Sequence, residues 1–146
     1  MLTYLLLLVS LVVGNVSSPG LFDLTAVSQN GDSSFVSPNW GEVTVFQDAA
    51  WHGTIGLLAH DYLSGQLFYE LEPGDAIFVD DQTFIVDRIE TYFGDTHAGF
   101  SQFYEAGYPL VLQTCYGTGW YFVIAYQGYW KPDDLISVTR GMEFME

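Results

Sequence analysis

The chain has 146 residues, of which 49% are hydrophobic and 17% aromatic, so it holds enough apolar side chain to fill the core of one compact domain. Three basic residues stand against 18 acidic ones, which gives a formal net charge of -15 at pH 7. This balance excludes nucleic acid as a partner, because binding to phosphate draws on clustered Lys and Arg side chains.

The chain begins with MLTYLLLLVSLVVGNVSS, which contains an apolar stretch of about 12 residues. This is the length of the apolar region of a signal peptide and is short for a bilayer span. Residues 1 to 18 are therefore predicted to be a signal peptide, with Val12-Val13-Gly14 as the best cleavage sequence. The alternative is an uncleaved short anchor that associates the protein with a membrane. Both interpretations predict an extracellular or cell-surface domain.

The next segments divide into an irregular part and a strand-rich part. Residues 19 to 39 are rich in Ser, Gly, Asn and Asp and are predicted to be an irregular lead-in. From residue 40 to 128, short strand-like runs alternate with turn signals, the pattern of an all-β barrel or sandwich with few short helices. The predicted strands are EVTVFQ (42–47), TIGLLAH (54–60), DAIFVD (75–80), QTFIVDRIETYF (82–93), YPLVLQTC (108–115) and GWYFVIAYQ (119–127).

The hairpin, the two most apolar strands and the C-terminal segment each lead to a prediction about the fold. The runs DAIFVD and TFIVDRI are predicted to form a tight hairpin through Asp81-Gln82. Strands 108–115 and 119–127 are apolar on both alternating faces, so we expect one face in the core and the other covered or forming a lined groove. Residues 129 to 146 break at Pro132 and are predicted to be a C-terminal extension outside the barrel.

Cys115 is the only cysteine, and it lies where a strand meets a glycine turn. Since it has no partner for an internal disulfide, it is a buried apolar residue, an intermolecular thiol or a reactive one. A reactive cysteine needs a base or a cation beside it, because only the thiolate attacks. Among the histidines, His52 precedes a strand and His97 lies in a loop, whereas His60 ends a strand as Cys115 does.

Two stretches of the chain resemble the sortase family. TIGLLAHDYLSGQLFYELEPGDAIFV resembles the sortase segment in which a strand ends in the catalytic histidine, a glycine-containing loop follows, and a leucine-rich stretch leads to Gly-Asp and the next strand. LVLQTCYGTGWYFVIA resembles the sortase Leu-x-Thr-Cys strand, its loop and the following strand, and TFIVDRIETYF stands between them in the place of a central strand. The resemblance covers about residues 40 to 126 and implies a closed or partly closed sortase-like β-barrel. It implies that Cys115 is the nucleophile, His60 the general acid/base and Thr114 a groove residue beside the thiol.

The arginine that sortases keep early in the strand after the cysteine does not carry over. Trp120 stands at or near this position, with Tyr121 as the neighbouring alternative. Either side chain can donate one hydrogen bond to the substrate or to its oxyanion, but neither has the charge or the fork of a guanidinium. Arg88 replaces the arginine only if it points to the groove, and alternation puts it on the face of Phe84 and Val86.

The resemblance implies a cysteine transpeptidase or peptidase. Its substrate would be an extended peptide or surface-protein sorting signal, and the Cys115 thioester would pass to an amine acceptor or to water. The alternative is a sortase-fold module that has lost catalysis and serves in binding or assembly, as a surface or filament component. The missing arginine and the acidic composition motivate this second interpretation.

Neither interpretation requires a cofactor, and we predict none. The Cys and His spacing does not fit structural zinc, and no metal site is predicted. The acidic residues Asp80, Asp81, Glu70 and Glu72 are interpreted as solvated turns rather than a cation site. The sequence leaves the oligomeric state open.

Overall fold

The computed structural model describes residues 13 to 128, and these residues form a closed barrel of eight strands in the order β1-β2-β3-β4-β7-β8-β6-β5. The strands are β1 (Asn15–Ser18), β2 (Phe22–Ser28), β3 (Glu42–Val45), β4 (Ile55–Leu58), β5 (Ala76–Val79), β6 (Gln82–Tyr92), β7 (Leu110–Tyr116) and β8 (Gly119–Gly128). Three short helices accompany them: α1 (Gln47–Ala50), a 3₁₀ helix (Ser64–Glu70) and α2 (Thr96–Tyr104). The predicted all-β class with few short helices is confirmed.

Each of the six predicted strands is present, with ends that differ from the prediction by at most two residues. The predicted hairpin of β5 and β6 is also present, but its two-residue loop is Asp80-Asp81, because Val79 pairs with Gln82. Asp80 has a positive φ of 53°, and its carboxylate accepts hydrogen bonds from the backbone N–H groups of Gly14 and Asn15. An aspartate thus adopts the left-handed conformation that such turns usually give to glycine, and its side chain joins the turn to β1.

The segment predicted to be an irregular lead-in contributes a strand, so this part of the prediction is wrong. β2 (Phe22–Ser28) lies within residues 19 to 39, and β1 (Asn15–Ser18) lies within the range assigned to a signal peptide or anchor. In β2 the buried Phe22 and Leu24 alternate with exposed polar residues. The polar composition therefore marks a strand with one solvated face. Residues 1 to 12 and the predicted C-terminal extension lie outside the described residues.

The barrel interior holds the main hydrophobic core. Alternate residues of every strand supply it, as the pleat requires. Its buried members are Val16, Phe22, Leu24, Val43, Leu57, Ala59, Phe68, Leu71, Ile77, Val79, Phe84, Val86, Leu110, Leu112, Val123 and Ala125.

A second cluster lies on the outer face of β7 and β8, under α1 and α2. Its buried members are Ala49, Phe103, Tyr104, Val111, Phe122 and Ile124. The ring of Phe103 on α2 stacks on Phe122 of β8, with centroids 3.8 Å apart. Helix α2 begins at a capped end, where the Asp95 carboxylate accepts a hydrogen bond from the backbone N–H of Ala98. The prediction that β7 and β8 have one face in the core and the other covered or forming a lined groove is confirmed.

Candidate active site

The pairing of β4 with β7 brings His60 and Cys115 to the same edge of the barrel. The two strands run parallel, with Leu58 opposite Gln113, and the backbone N–H of Ala59 donates to the carbonyl oxygen of Gln113 over 3.2 Å. His60 follows the last paired residue of β4, Leu58, by two positions, and Cys115 follows its partner Gln113 by two positions. His60 therefore lies just beyond the end of β4, beside the end of β7 that carries Cys115.

Thr114 holds these two strand ends together. Its hydroxyl is buried and donates a hydrogen bond to the carbonyl oxygen of Ala59 over 2.7 Å. It alternates with Leu112, which belongs to the interior core, so its side chain faces into the barrel. The structure thus shows Thr114 as a buried link between β7 and the end of β4. Its assignment as a groove residue stays a prediction.

The 3₁₀ helix packs on this edge through Gly65. The backbone N–H of Gly65 donates to the carbonyl oxygen of His60 over 2.9 Å. A Cβ at Gly65 would lie 2.2 Å from Oγ1 of Thr114 and 2.6 Å from the carbonyl oxygen of His60. Only glycine permits this close approach.

The thiol of Cys115 is free and the residue is exposed. Partial burial of the sulfur raises the pKa of the thiol, and the negative charge of Asp61 raises this pKa further. Arg88 is the only Lys or Arg within residues 13 to 128, and it lies elsewhere, as described below. At neutral pH the resting site therefore holds a protonated, accessible thiol.

His60 is partly exposed, and its ring stacks on Tyr62 with centroids 4.9 Å apart and an interplanar angle of 18°. Within the described residues no hydrogen bond joins the imidazole to the thiol. Catalytic hydrogen bonds often form only in the complex with substrate, and the matching register keeps the two groups on one edge. The stacking on Tyr62 sets the plane of the imidazole.

Three tyrosines make an aromatic cluster against Cys115. The ring of Tyr69, from the 3₁₀ helix, lies edge-on to Tyr121 of β8 at 4.7 Å and 6.1 Å from Tyr116. The hydroxyl of Tyr69 donates a hydrogen bond to the carbonyl oxygen of Cys115. Sequence reasoning missed Tyr69, because it lies in no strand and its contact depends on how the 3₁₀ helix folds back onto β7.

Trp120 and Tyr121, the two candidates for the arginine position, lie on opposite faces of β8. Trp120 is directly opposite Cys115, whereas Tyr121 is opposite Thr114. The indole ring of Trp120 stacks on Tyr92, with centroids 6.2 Å apart, and packs against the outer cluster. Tyr121 packs against the interior core and the ring of Tyr69. Trp120 thus shares the face of the thiol but is held by aromatic packing.

A shallow groove runs beside Trp120 on the outer face of β7 and β8. Its volume is about 110 Å³, smaller than the roughly 300–1,000 Å³ of pockets for whole small molecules. At its floor, the hydroxyl of the fully buried Tyr104 donates to Oε1 of Gln113 over 2.5 Å. The lining residues are Phe46, Tyr92, Thr96, Gly99, Phe100, Tyr104, Gln113, Trp120 and Phe122.

Arg88 is not brought to this edge. A β-bulge interrupts β6 between Val86 and Arg88, so that Arg88 stands opposite Ile124 of the outer cluster. The expectation that it shares the face of Phe84 and Val86 is therefore wrong, because the bulge inverts the alternation. Its guanidinium is bound by Glu90 and Asp87 and contacts the hydroxyl of Tyr108.

Residues 13 to 128 were also searched for groups of metal-ligating side chains and for membrane-spanning helices. Between residues 13 and 128, no group of three or more His, Cys, Asp or Glu side chains is arranged to hold a metal ion. In the same part of the chain, no helix combines the length and the apolar composition needed to cross a membrane.

Solved structures share this barrel at low sequence identity. Sortase A from Corynebacterium diphtheriae, as a lid mutant, superposes with a TM-score of 0.63 at 14% identity over 86% of this chain and 74% of that chain. A Clostridium perfringens sortase D5 transpeptidase gives 0.61 at 14% identity, over 80% and 79% of the two chains. Sortase E from Streptomyces avermitilis gives 0.58 at 17% identity, over 83% and 94%. No protein-family model and no curated protein matches the sequence. The fold is sortase-like.

Proposed function

We propose that this protein is a sortase-like cysteine transpeptidase or peptidase that acts on the backbone amide of an extended peptide. The observation that supports the proposal is the parallel pairing of β4 with β7, whose last pair, Leu58 with Gln113, lies two residues before His60 and before the exposed, free Cys115. The sortase-like fold supports it, since one of the similar structures is itself described as a transpeptidase. The predicted export places the reaction outside the cytoplasm, at the cell surface.

The reaction proceeds through a thioester. His60 takes the thiol proton as the sulfur of Cys115 attacks the carbonyl carbon, and the electron pair of the C=O bond moves onto oxygen. When the tetrahedral intermediate collapses, the C–N bond breaks and the imidazolium gives its proton to the leaving amine. An amine acceptor or water then attacks the thioester carbonyl carbon and gives a proton to His60, the C–S bond breaks, and the proton passes to the sulfur, which restores the thiol. Because the pKa of the resting thiol is raised, proton removal by His60 is part of the attack.

The test is transfer of an acyl group by the full chain. A peptide ester is supplied with an amine such as glycinamide, and the amide product is measured by mass spectrometry. Cys115→Ala is expected to abolish transfer, and His60→Gln to reduce it by about 10²–10⁴-fold, the usual contribution of a general acid/base. His97→Gln, which changes an exposed histidine on α2, is the matched control and keeps full activity. Equal rates in His60→Gln and wild type would overturn the assigned role of His60.

A second candidate function is a peptide-binding or assembly module without catalysis. It is favoured by the aromatic packing of Trp120 opposite the thiol, where a guanidinium would otherwise stand, and by the acidic surroundings of Cys115. A module binds peptide with the same affinity in wild type and Cys115→Ala and forms no adduct on the thiol. Formation of a covalent adduct in the wild-type protein would exclude it.

A further inference from the structure

We propose that the hydroxyl of Tyr69 is the hydrogen-bond donor for the oxyanion that forms when Cys115 attacks a carbonyl carbon. The inference rests on the proposed thioester chemistry and assigns a catalytic residue to it. Attack by the sulfur converts the carbonyl oxygen of the substrate into an oxyanion, and a preorganised donor at this oxygen is usually the largest single contribution to the rate. A site with an exposed thiol therefore needs a donor close to the sulfur.

Tyr69 is in contact with the residue that carries the nucleophile. Its hydroxyl donates to the carbonyl oxygen of Cys115, and its ring is held edge-on by Tyr121. The residue is 37% exposed, so Tyr69 lies at the protein surface beside Cys115. Because a phenol O–H rotates about its C–O bond, the proton now directed to the carbonyl oxygen of Cys115 can be redirected to an oxygen that arrives beside the sulfur.

The other candidate donors are less well placed. The indole of Trp120 packs on Tyr92 in the outer cluster, and the guanidinium of Arg88 is bound by Glu90 and Asp87. Tyr116 and Tyr121 belong to the same aromatic cluster as Tyr69, but no hydrogen bond joins their hydroxyls to Cys115 within the described residues. Tyr69 alone combines a place at the protein surface with a direct hydrogen bond to Cys115.

The electrostatics keep Tyr69 in the donating form. Burial raises the pKa of its hydroxyl, and the nearby Asp61 and Cys115 raise it further. The hydroxyl therefore keeps its proton at neutral pH and can donate it in a hydrogen bond.

The test compares two reactions of the same thiol. Acylation by an activated peptide ester passes through an oxyanion, whereas alkylation by iodoacetamide displaces iodide and forms none. Both reactions require loss of the same thiol proton, so the ratio of their rates separates a change in oxyanion stabilisation from a change in the thiol pKa. In Tyr69→Phe, which keeps the ring, acylation is expected to fall by about 10²-fold, while alkylation stays at the wild-type rate. Tyr116→Phe, in the same cluster, is the control and leaves the ratio unchanged.

Each possible result of the Tyr69→Phe experiment either supports or overturns the proposed donor role of Tyr69. A ratio in Tyr69→Phe equal to that of wild type overturns the donor role and leaves the proposed function standing. An equal fall in acylation and alkylation also overturns it, because the hydroxyl then only supports the structure around the thiol. Alkylation without any acylation in the wild-type protein refutes the proposed function and this inference with it.

Discussion

At the level of single residues, the surroundings of Cys115, the proposed nucleophile, favour its protonated form. Cys115 has no described cation beside it, and the charge that acts on it is the carboxylate of Asp61. Asp61 directly follows His60 in the sequence. The carboxylate that raises the pKa of the Cys115 thiol is therefore the chain neighbour of the predicted base. The proposed reaction therefore requires proton transfer from the thiol when a substrate binds, rather than a thiolate at rest.

Removal of the charge on Asp61 is expected to activate the thiol. In Asp61→Asn the negative charge beside the sulfur is lost, so the pKa of Cys115 falls and its alkylation by iodoacetamide at pH 7 becomes several-fold faster. The measurement is the alkylation rate as a function of pH, and its midpoint moves to lower pH in the variant.

The control for this experiment is Asp87→Asn, which removes an equal charge from an exposed residue that pairs with Arg88. The alkylation midpoint of this variant stays at the wild-type value. If Asp61→Asn and wild type share one midpoint, Asp61 does not set the state of the thiol.

At the scale of elements, the 3₁₀ helix organises the site. Gly65 near its start packs on the β4–β7 edge, and Tyr69 near its end contacts Cys115. The helix is short, and helices of this kind gain little stability from their own hydrogen bonds. Its position therefore depends on the close contact that glycine allows.

A methyl group at Gly65 is expected to separate the helix from the strands. The Cβ of Gly65→Ala would overlap Thr114 and the backbone of His60, and relief of such overlap typically costs about 1–3 kcal/mol. The free energy of unfolding in urea measures this loss. Gly14→Ala is the control, since its Cβ would lie 3.3 Å from the side chain of Asp80 and meet no backbone atom. Equal stability of Gly65→Ala and wild type would show that the helix is not held by this contact.

The sequence predicts the strands from β3 onward because their apolar residues form runs or clear alternation. It does not predict β1 and β2, whose Ser, Asn and Asp residues resemble loop composition although Phe22 and Leu24 are buried. The strand-end positions of His60 and Cys115 can be predicted from the motifs. The contact of Tyr69 with Cys115 cannot, because it joins residues 46 positions apart through an irregular segment. Neither can the bulge at Arg88, which alternation alone does not reveal.

At the scale of the whole molecule, negative charge is spread over a small barrel. The full chain carries a formal charge of -15, and Arg88 is already paired with Asp87 and Glu90. Like charges repel one another in the compact state more than in the unfolded chain, which lowers stability at low ionic strength.

Salt is therefore expected to stabilise the protein. Screening shortens the range of repulsion from about 30 Å at 0.01 M to about 10 Å at 0.1 M ionic strength. The urea midpoint at pH 7 should rise when NaCl is increased over this range. The effect should shrink at pH 4, where many carboxylates are protonated and the repulsion is weaker. A midpoint that falls with salt at pH 7 would show that attractive ion pairs dominate instead.

The role of Cys115 as a nucleophile served by His60 can be measured as the intact mass of the protein after reaction with a peptide thioester in the absence of an amine. The mass is expected to increase by one acyl group, located on Cys115 by digestion. This increase is absent in Cys115→Ala and forms far more slowly in His60→Gln. An unmodified wild-type protein, with a thiol that iodoacetamide still alkylates, would contradict this role.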